Sequence, residues 1–348
     1  MPPDRFVPAL ELSRDFYAEA VAPLLTGHRH SAALLGWGSD VLGYDTQRST
    51  DHGWGPRLQI FVNPAGVDAV RGTLAGRLPE EFRGRPVNFG WDQVAPEQHV
   101  EVLGLGTWLT GQLGVDPRPG LGPTDWLAIP QQQLLGVVRG AVYADPGREL
   151  AAVRTGLQWY PRDVWLWLSA CQWRRIFQEI AFTGRAAEVG DELGSKIIAG
   201  RLARELMRLW FLQQRSYWPY TKWFGTAFAR LPDVDDLGTA LDHAVSADDH
   251  PQRESGLVEA YRIVAGKHNQ LRLTDPVEWS IGPYFGRPYQ VLHGGFVEAC
   301  LAAIGDDRLR KLPLVGSADQ FVDSTDVLSA SGRTRMLKPF LDRLGRTG

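Results

Sequence analysis

The chain has 348 residues, 44% of them apolar and 22% charged, with a net charge of −3 and 13 tryptophans. This length accommodates two domains with separate cores, and the near-neutral charge excludes a global basic field for holding long nucleic acid. Two cysteines, Cys171 and Cys300, exclude a disulfide framework or a zinc finger.

The opening MPPDRFVPALELSRDFY is charged and lacks the apolar stretch of a signal peptide. No run of about 18 apolar residues occurs anywhere. With two distant cysteines, these features predict a cytoplasmic protein without a membrane span. Apolar residues at helical spacing predict an amphipathic helix over 10–26. The apolar run 32–35 closes on Gly36-Trp37-Gly38-Ser39. Leu58, Ile60 and Val62 alternate with Arg57, Gln59 and Phe61, giving the clearest strand, which Asn63-Pro64 ends. A helix over 67–78 and strands over 86–89 and 99–103 follow. Residues 104–125 are rich in Gly and Pro around a short helical piece at 108–113. Beyond Pro130 the pattern is helical: 131–143, 162–182, 188–214, 234–245, 256–271 and 289–304, with breaks at Pro and Gly. The expected class is therefore α+β, an α/β domain over 1–125 followed by an all-helical domain over 126–348. The many tryptophans between Trp159 and Trp223 read first as core and second as a stacking surface.

The stretch that carries chemistry is 34–62. Its Gly-x-Gly-Ser turn offers backbone N–H groups and a hydroxyl that suit a phosphate. Asp51 stands before the strand, where a carboxylate could hold Mg²⁺ against a triphosphate, since Mg²⁺ takes one or two protein carboxylates plus substrate phosphates.

A Gly-Ser turn followed by Asp-x-(Asp or Glu) on a strand resembles the signature of the DNA polymerase beta-type nucleotidyltransferase superfamily, which includes aminoglycoside adenylyltransferases. More closely, GSDVLGYDTQRSTDHGWGPRL is similar to an uncharacterised bacterial family grouped with nucleotidyltransferases. The resemblance extends through DWLAIPQQQLLGVVRGAVY, YPRDVW, GDELGSKIIAGRLARELMRL and YWPYTKWFGTAF. It implies a nucleotidyltransferase-type mixed sheet with flanking helices. It also implies Mg²⁺- or Mn²⁺-dependent transfer of a nucleotidyl group, foremost adenylyl from ATP, to a hydroxyl acceptor with release of pyrophosphate. Carried over residue by residue, Gly38 and Ser39 match the turn and Asp51 the first strand carboxylate. The second carboxylate falls on Gly53, a departure that leaves the metal bridge incomplete and raises the alternative of a degenerate nucleotide- or partner-binding protein. Glu101 is the candidate third carboxylate, and Asp40 or Asp45 could substitute for the missing one.

Other residues complete the expected site. Arg48 and Arg57 could neutralise phosphate charge. Glu192 is the candidate general base, or else an i,i+4 ion-pair partner of Lys196. Lys222, within Tyr217-Trp218-Pro219-Tyr220-Thr221-Lys222-Trp223, could hold a phosphate beside stacking aromatics. His52 reads as a strand-edge residue, and Gly104-Leu105-Gly106 lacks the third glycine of a dinucleotide fingerprint. The expected partners are a nucleoside triphosphate and a small-molecule acceptor; RNA fits the mild acidity less well.

Overall fold

The structure, a computed structural model, describes residues 6–92 and 94–344, and of Asp51 the backbone alone. The chain forms two compact units. The first takes in the chain to Leu121, Gln132–Gln158 and Ser329–Arg335, and the second Gly122–Gln131, Trp159–Leu328 and the chain from Met336. Among the described residues no helix is long and apolar enough to cross a membrane. The architecture is α+β, with a mixed four-stranded sheet and a largely helical remainder.

In the first unit α1 (Ala9–Phe16) leads to β1 (Ser31–Leu34), β2 (Leu58–Phe61) and α2 (Val67–Leu74). Two small hairpins follow, β3 (Glu81–Phe82) with β4 (Arg85–Pro86) and β5 (Asn88–Trp91) with β6 (Val94–Gln98). Then come β7 (Val100–Leu103), α3 (Leu105–Leu113), α4 (Pro123–Ala128, in the second unit), α5 (Gln131–Val138), β8 (Ala141–Ala144) and α6 (Glu149–Gly156). The sheet order is β7-β2-β1-β8, with β2 and β7 parallel and the other pairs antiparallel. Strand alternation sorts the two faces. Leu58, Ile60, Val102 and Ala32 join one core with α1 and α2, while Arg57, Gln59 and Glu101 take the opposite face, Gln59 lying across from Glu101.

Local chemistry explains where the elements depart from the expected ones. The first helix buries Leu12, Phe16, Val21 and Leu25, a spacing of four, five and four. The step of five is absorbed by a π turn at Tyr17–Val21, after which Pro23 sits in a 3₁₀ turn at Ala22–Leu25. The helix expected over 131–143 stops at Val138 because Gly140 turns the chain at φ +72°, where a Cβ would lie 2.1 Å from the Leu34 carbonyl oxygen. The freed residues become β8 and pair with β1.

In the second unit run α7 (Arg162–Glu179), α8 (Phe182–Glu188), α9 (Glu192–Gln213), α10 (Thr221–Phe228), α11 (Asp235–Ser246) and α12 (His250–Gln270). The hairpin β9 (Trp279–Pro283) and β10 (Gln290–Gly294), then α13 (Phe296–Ala302) and short helices, complete it. The helix expected over 188–214 begins instead at Glu192, since Gly190 takes φ +81° and Asp191 caps the Gly194 amide at 2.8 Å. The segment 289–304 is strand before it is helix. Gly294 separates the two, its place of a Cβ lying only 2.6 Å from the Phe296 ring.

The tryptophans of α7 are core. Trp165, Trp167 and Trp173 are buried, and their indole N–H groups reach the Leu212 carbonyl at 2.9 Å, the Leu312 carbonyl at 3.3 Å and His268 Nδ1 at 3.3 Å. Because an indole N–H only donates, His268 Nδ1 carries no proton, and its Nε2 lies 3.0 Å from Thr274 Oγ1. Burial pushes the His268 pKa down to about 4. Stability from this neutral ring is complete above its unfolded value near 6.5 and is lost as pH falls towards 4, by up to about 3 kcal/mol. Asp319 runs the other way: burial raises its pKa to about 6, so its contribution is complete below about 4 and is lost as pH rises through 6. In urea titrations between pH 6.5 and 4, Asp319→Asn should therefore lose stability more steeply than wild type, and His268→Gln less steeply. Parallel curves for all three proteins would refute this account.

Candidate active site

The turn after β1 is built by glycines at positions that side chains resist. Gly36 and Gly38 adopt φ +99° and +122°, and a Cβ on Gly38 would lie 2.1 Å from Asp40 Oδ1. The Gly36 amide donates to the Gly136 carbonyl at 2.9 Å, and Gly140 N to the Val41 carbonyl at 3.0 Å. Within the loop, Tyr44 N donates to the Ser39 carbonyl at 2.7 Å and Leu42 N to the Gly38 carbonyl at 3.3 Å. Ser39 is half-buried in this frame.

Beneath the turn lies a buried ion pair that the sequence does not announce. Arg57 Nη2 is 2.6 Å from Asp40 Oδ2, with side-chain exposures of 10% and 5%. The same nitrogen donates to the Trp37 carbonyl at 3.3 Å, and the guanidinium carbon stands 5.1 Å from the centre of the Trp37 ring. Asp40 is thus held by an arginine. Asp45 is held too, its Oδ2 accepting from the Ala9 amide at 2.7 Å and from Trp54 Nε1 at 3.0 Å. Both carboxylates that could have replaced a ligand at position 53 already have partners.

Arg48 is exposed on a 3₁₀ turn, Gln47–Asp51, whose N-terminal end is closed by reciprocal Thr46 and Ser49 hydrogen bonds. Asp51 ends that turn; its side chain lies outside the described residues. His52 Nδ1 is 3.2 Å from Asp92 Oδ2 in an exposed pair. Gly53 takes φ +62°, and a Cβ there would sit 3.4 Å from Trp37 and 3.5 Å from Trp91. Glu101 follows Val100 in β7, on the face of Arg57. It keeps contact with solvent, yet lost hydration raises its carboxyl pKa, an effect that the Arg57 charge opposes. Among the described residues, no three His, Cys, Asp or Glu side chains converge as a metal site would require.

An aromatic cluster borders the turn. Trp37, 57% exposed, lies with its ring centroid 6.0 Å from that of Trp91. Trp91 in turn neighbours His52 at 6.0 Å and His99 at 5.2 Å, and His99 Nε2 is 2.8 Å from the Phe89 carbonyl. The glycines flanking Trp37 were the available signal for an exposed indole; nothing local ties Trp91 to it.

A cavity of about 840 Å³ occupies a different part of the same unit, lined by Arg29, Phe61, Asn63, Gly104, Thr107 and Arg118 among others. Phe61 and Asn63 mark the carboxyl end of β2. The Gly-Ser turn follows the carboxyl end of the antiparallel β1, so turn and cavity lie at opposite ends of the sheet.

Glu192 and Lys222 belong to the second unit. Glu192, first residue of α9, pairs not with Lys196 but with Arg253 of α12, Oε2 to Nη2 at 3.2 Å. Arg253 is fully buried and also donates to Ser195 Oγ at 2.7 Å. Lys222 is exposed on α10, its Nζ 5.1 Å from the centre of the Trp223 ring.

A model of a family described as "Domain of unknown function (DUF4037)" matches residues 126–224. No curated protein matches the chain. Among solved structures, the chain is similar to a nucleotidyltransferase-like protein from Exiguobacterium sibiricum, at 10% identity and a TM-score of 0.34. That likeness covers 82% of this chain and 98% of the other.

Proposed function

We propose that the first unit binds a nucleoside triphosphate, foremost ATP, at the Gly38-Ser39 turn and serves nucleotidyl transfer to a small hydroxyl acceptor. The observation that supports this most is the turn itself: two glycines in left-handed conformations, placed directly after a sheet strand and braced by the Asp40–Arg57 pair. In this reading the backbone of Gly38 and Ser39 takes the phosphates, Arg48 supplies exposed positive charge, and Arg57 acts through the turn that it holds. The acceptor oxygen bonds to the α-phosphorus, the bond from that phosphorus to the bridging oxygen breaks, and pyrophosphate leaves. The hydroxyl proton passes to solvent.

Mg²⁺ or Mn²⁺ would find its carboxylates in Asp51 and Glu101. With glycine at 53 and Asp40 already paired, the described residues do not complete a two-metal set. The protein's own contribution is therefore binding and positioning. Gly53 also favours a second reading, nucleotide binding without transfer.

Calorimetric titration separates these readings. Wild type and Asp51→Asn would be titrated with ATP and each other nucleoside triphosphate, in Mg²⁺ and then in EDTA. Pyrophosphate release would be followed with pooled hydroxyl compounds. Transfer predicts at least about tenfold weaker ATP binding in EDTA and in Asp51→Asn, roughly 1.4 kcal/mol, together with release of pyrophosphate. Binding indifferent to metal and to Asp51 selects the second reading, and no nucleotide binding ends both.

A further inference from the structure

The indoles of Trp37 and Trp91 meet over Gly53. A Cβ at position 53 would already touch Trp37 Cη2 at 3.4 Å and Trp91 Cε2 at 3.5 Å, and the rings are inclined by 58°. The glycine that costs the site a carboxylate is thus what leaves the space between two indoles clear. Trp37 is among the exposed large apolar side chains of the described residues. Its backbone continues directly into Gly38 and Ser39, at most about 7.6 Å of chain over two peptide units. Arg57 stands over Trp37 within cation–π distance, which fixes the ring.

We infer that Trp37 and Trp91 form a notch that takes the base of the nucleotide by stacking. This rests on the nucleotide reading above and deepens it. The notch discriminates by area of aromatic overlap rather than by hydrogen bonds to base edges, because every base presents a π face. Purine nucleotides bind more tightly than pyrimidine ones.

The test uses the full chain and two probes, ATP and inorganic tripolyphosphate, which carries the phosphates without a base. Wild type, Trp37→Ala, Trp37→Phe and Trp91→Ala are titrated with each. The expected result is an ATP affinity about 5- to 140-fold weaker in Trp37→Ala, a similar loss in Trp91→Ala, and recovery in Trp37→Phe. Tripolyphosphate affinity stays unchanged throughout. ATP binding that is equal in wild type and Trp37→Ala overturns the notch and leaves the nucleotide reading standing. Parallel loss of ATP and tripolyphosphate overturns it too, by assigning Trp37 to the shape of the turn. Wild type that binds neither probe overturns both.

Discussion

Replacing Glu205 by alanine is expected to lower the unfolding free energy by about 3–5 kcal/mol, the cost of stranding a buried charge. Glu205 and Arg208, on successive turns of α9, are 4% and 6% exposed in their side chains, with Oε1 and Nη1 3.1 Å apart. Oε2 accepts from Arg175 Nε at 3.1 Å and from Gln172 Nε2 at 2.7 Å. Burial alone would raise the Glu205 pKa; Arg208 and Arg175 outweigh it and hold the carboxyl below its ordinary range. Arg175 is partly exposed and can turn outward, whereas Arg208 cannot, and its Nε is already without a partner. Tryptophan fluorescence in urea reads the loss directly, since α7 carries three of the buried indoles. The double change Glu205→Leu with Arg208→Met should recover most of it, because a well-packed apolar pair can replace a buried ion pair at little net cost. A Glu205→Ala protein within about 1 kcal/mol of wild type would show that the pair behaves as a surface bridge.

The same physics applied to Asp40 separates structure from chemistry in the candidate active site. Asp40→Ala leaves Arg57 buried with the Trp37 carbonyl and ring, and an Nε that has no partner. A loss of about 3–5 kcal/mol is expected, largely recovered by Asp40→Ala combined with Arg57→Met. If Asp40 were instead a metal ligand, its removal would spare stability at neutral pH and abolish metal-dependent binding. The two outcomes are told apart by urea titration beside ATP titration. Gly38→Ala provides a check through the backbone, since its added carbon meets Asp40 Oδ1 at 2.1 Å; it should disturb the same ion pair without removing either charge.

The sequence by itself determined what short-range chemistry can specify. The alternation from Arg57 to Val62 marks β2, and the paired faces follow from period two. The clustered glycines of Gly36-Trp37-Gly38 mark a turn that only glycine permits at those φ angles. The helix expected over 256–271 is present, though it starts earlier, at His250, where the Asp249 side chain accepts from the Gln252 amide at 2.9 Å. The predominance of helix beyond Pro130 follows from periodicity in the same way. The α+β class was therefore legible before any contact was known.

Tertiary structure decided whatever depends on distant partners. Residues 141–143 read as helix by apolar spacing, but β1 offered an unpaired edge and Gly140 let the chain turn onto it. Strand pairing outweighed a weak local preference. Glu192 has a lysine one turn on, yet it pairs with Arg253, 61 positions away, because a fully buried guanidinium gains far more from a carboxylate than an exposed lysine does. Asp40 lies beside the Gly-Ser turn and looked available as a ligand; Arg57, 17 positions on, holds it. Gly53 read only as a missing carboxylate until two indoles from separate segments were found to meet over it. Local sequence encodes conformational preference, while partners and exposure are properties of the packed chain.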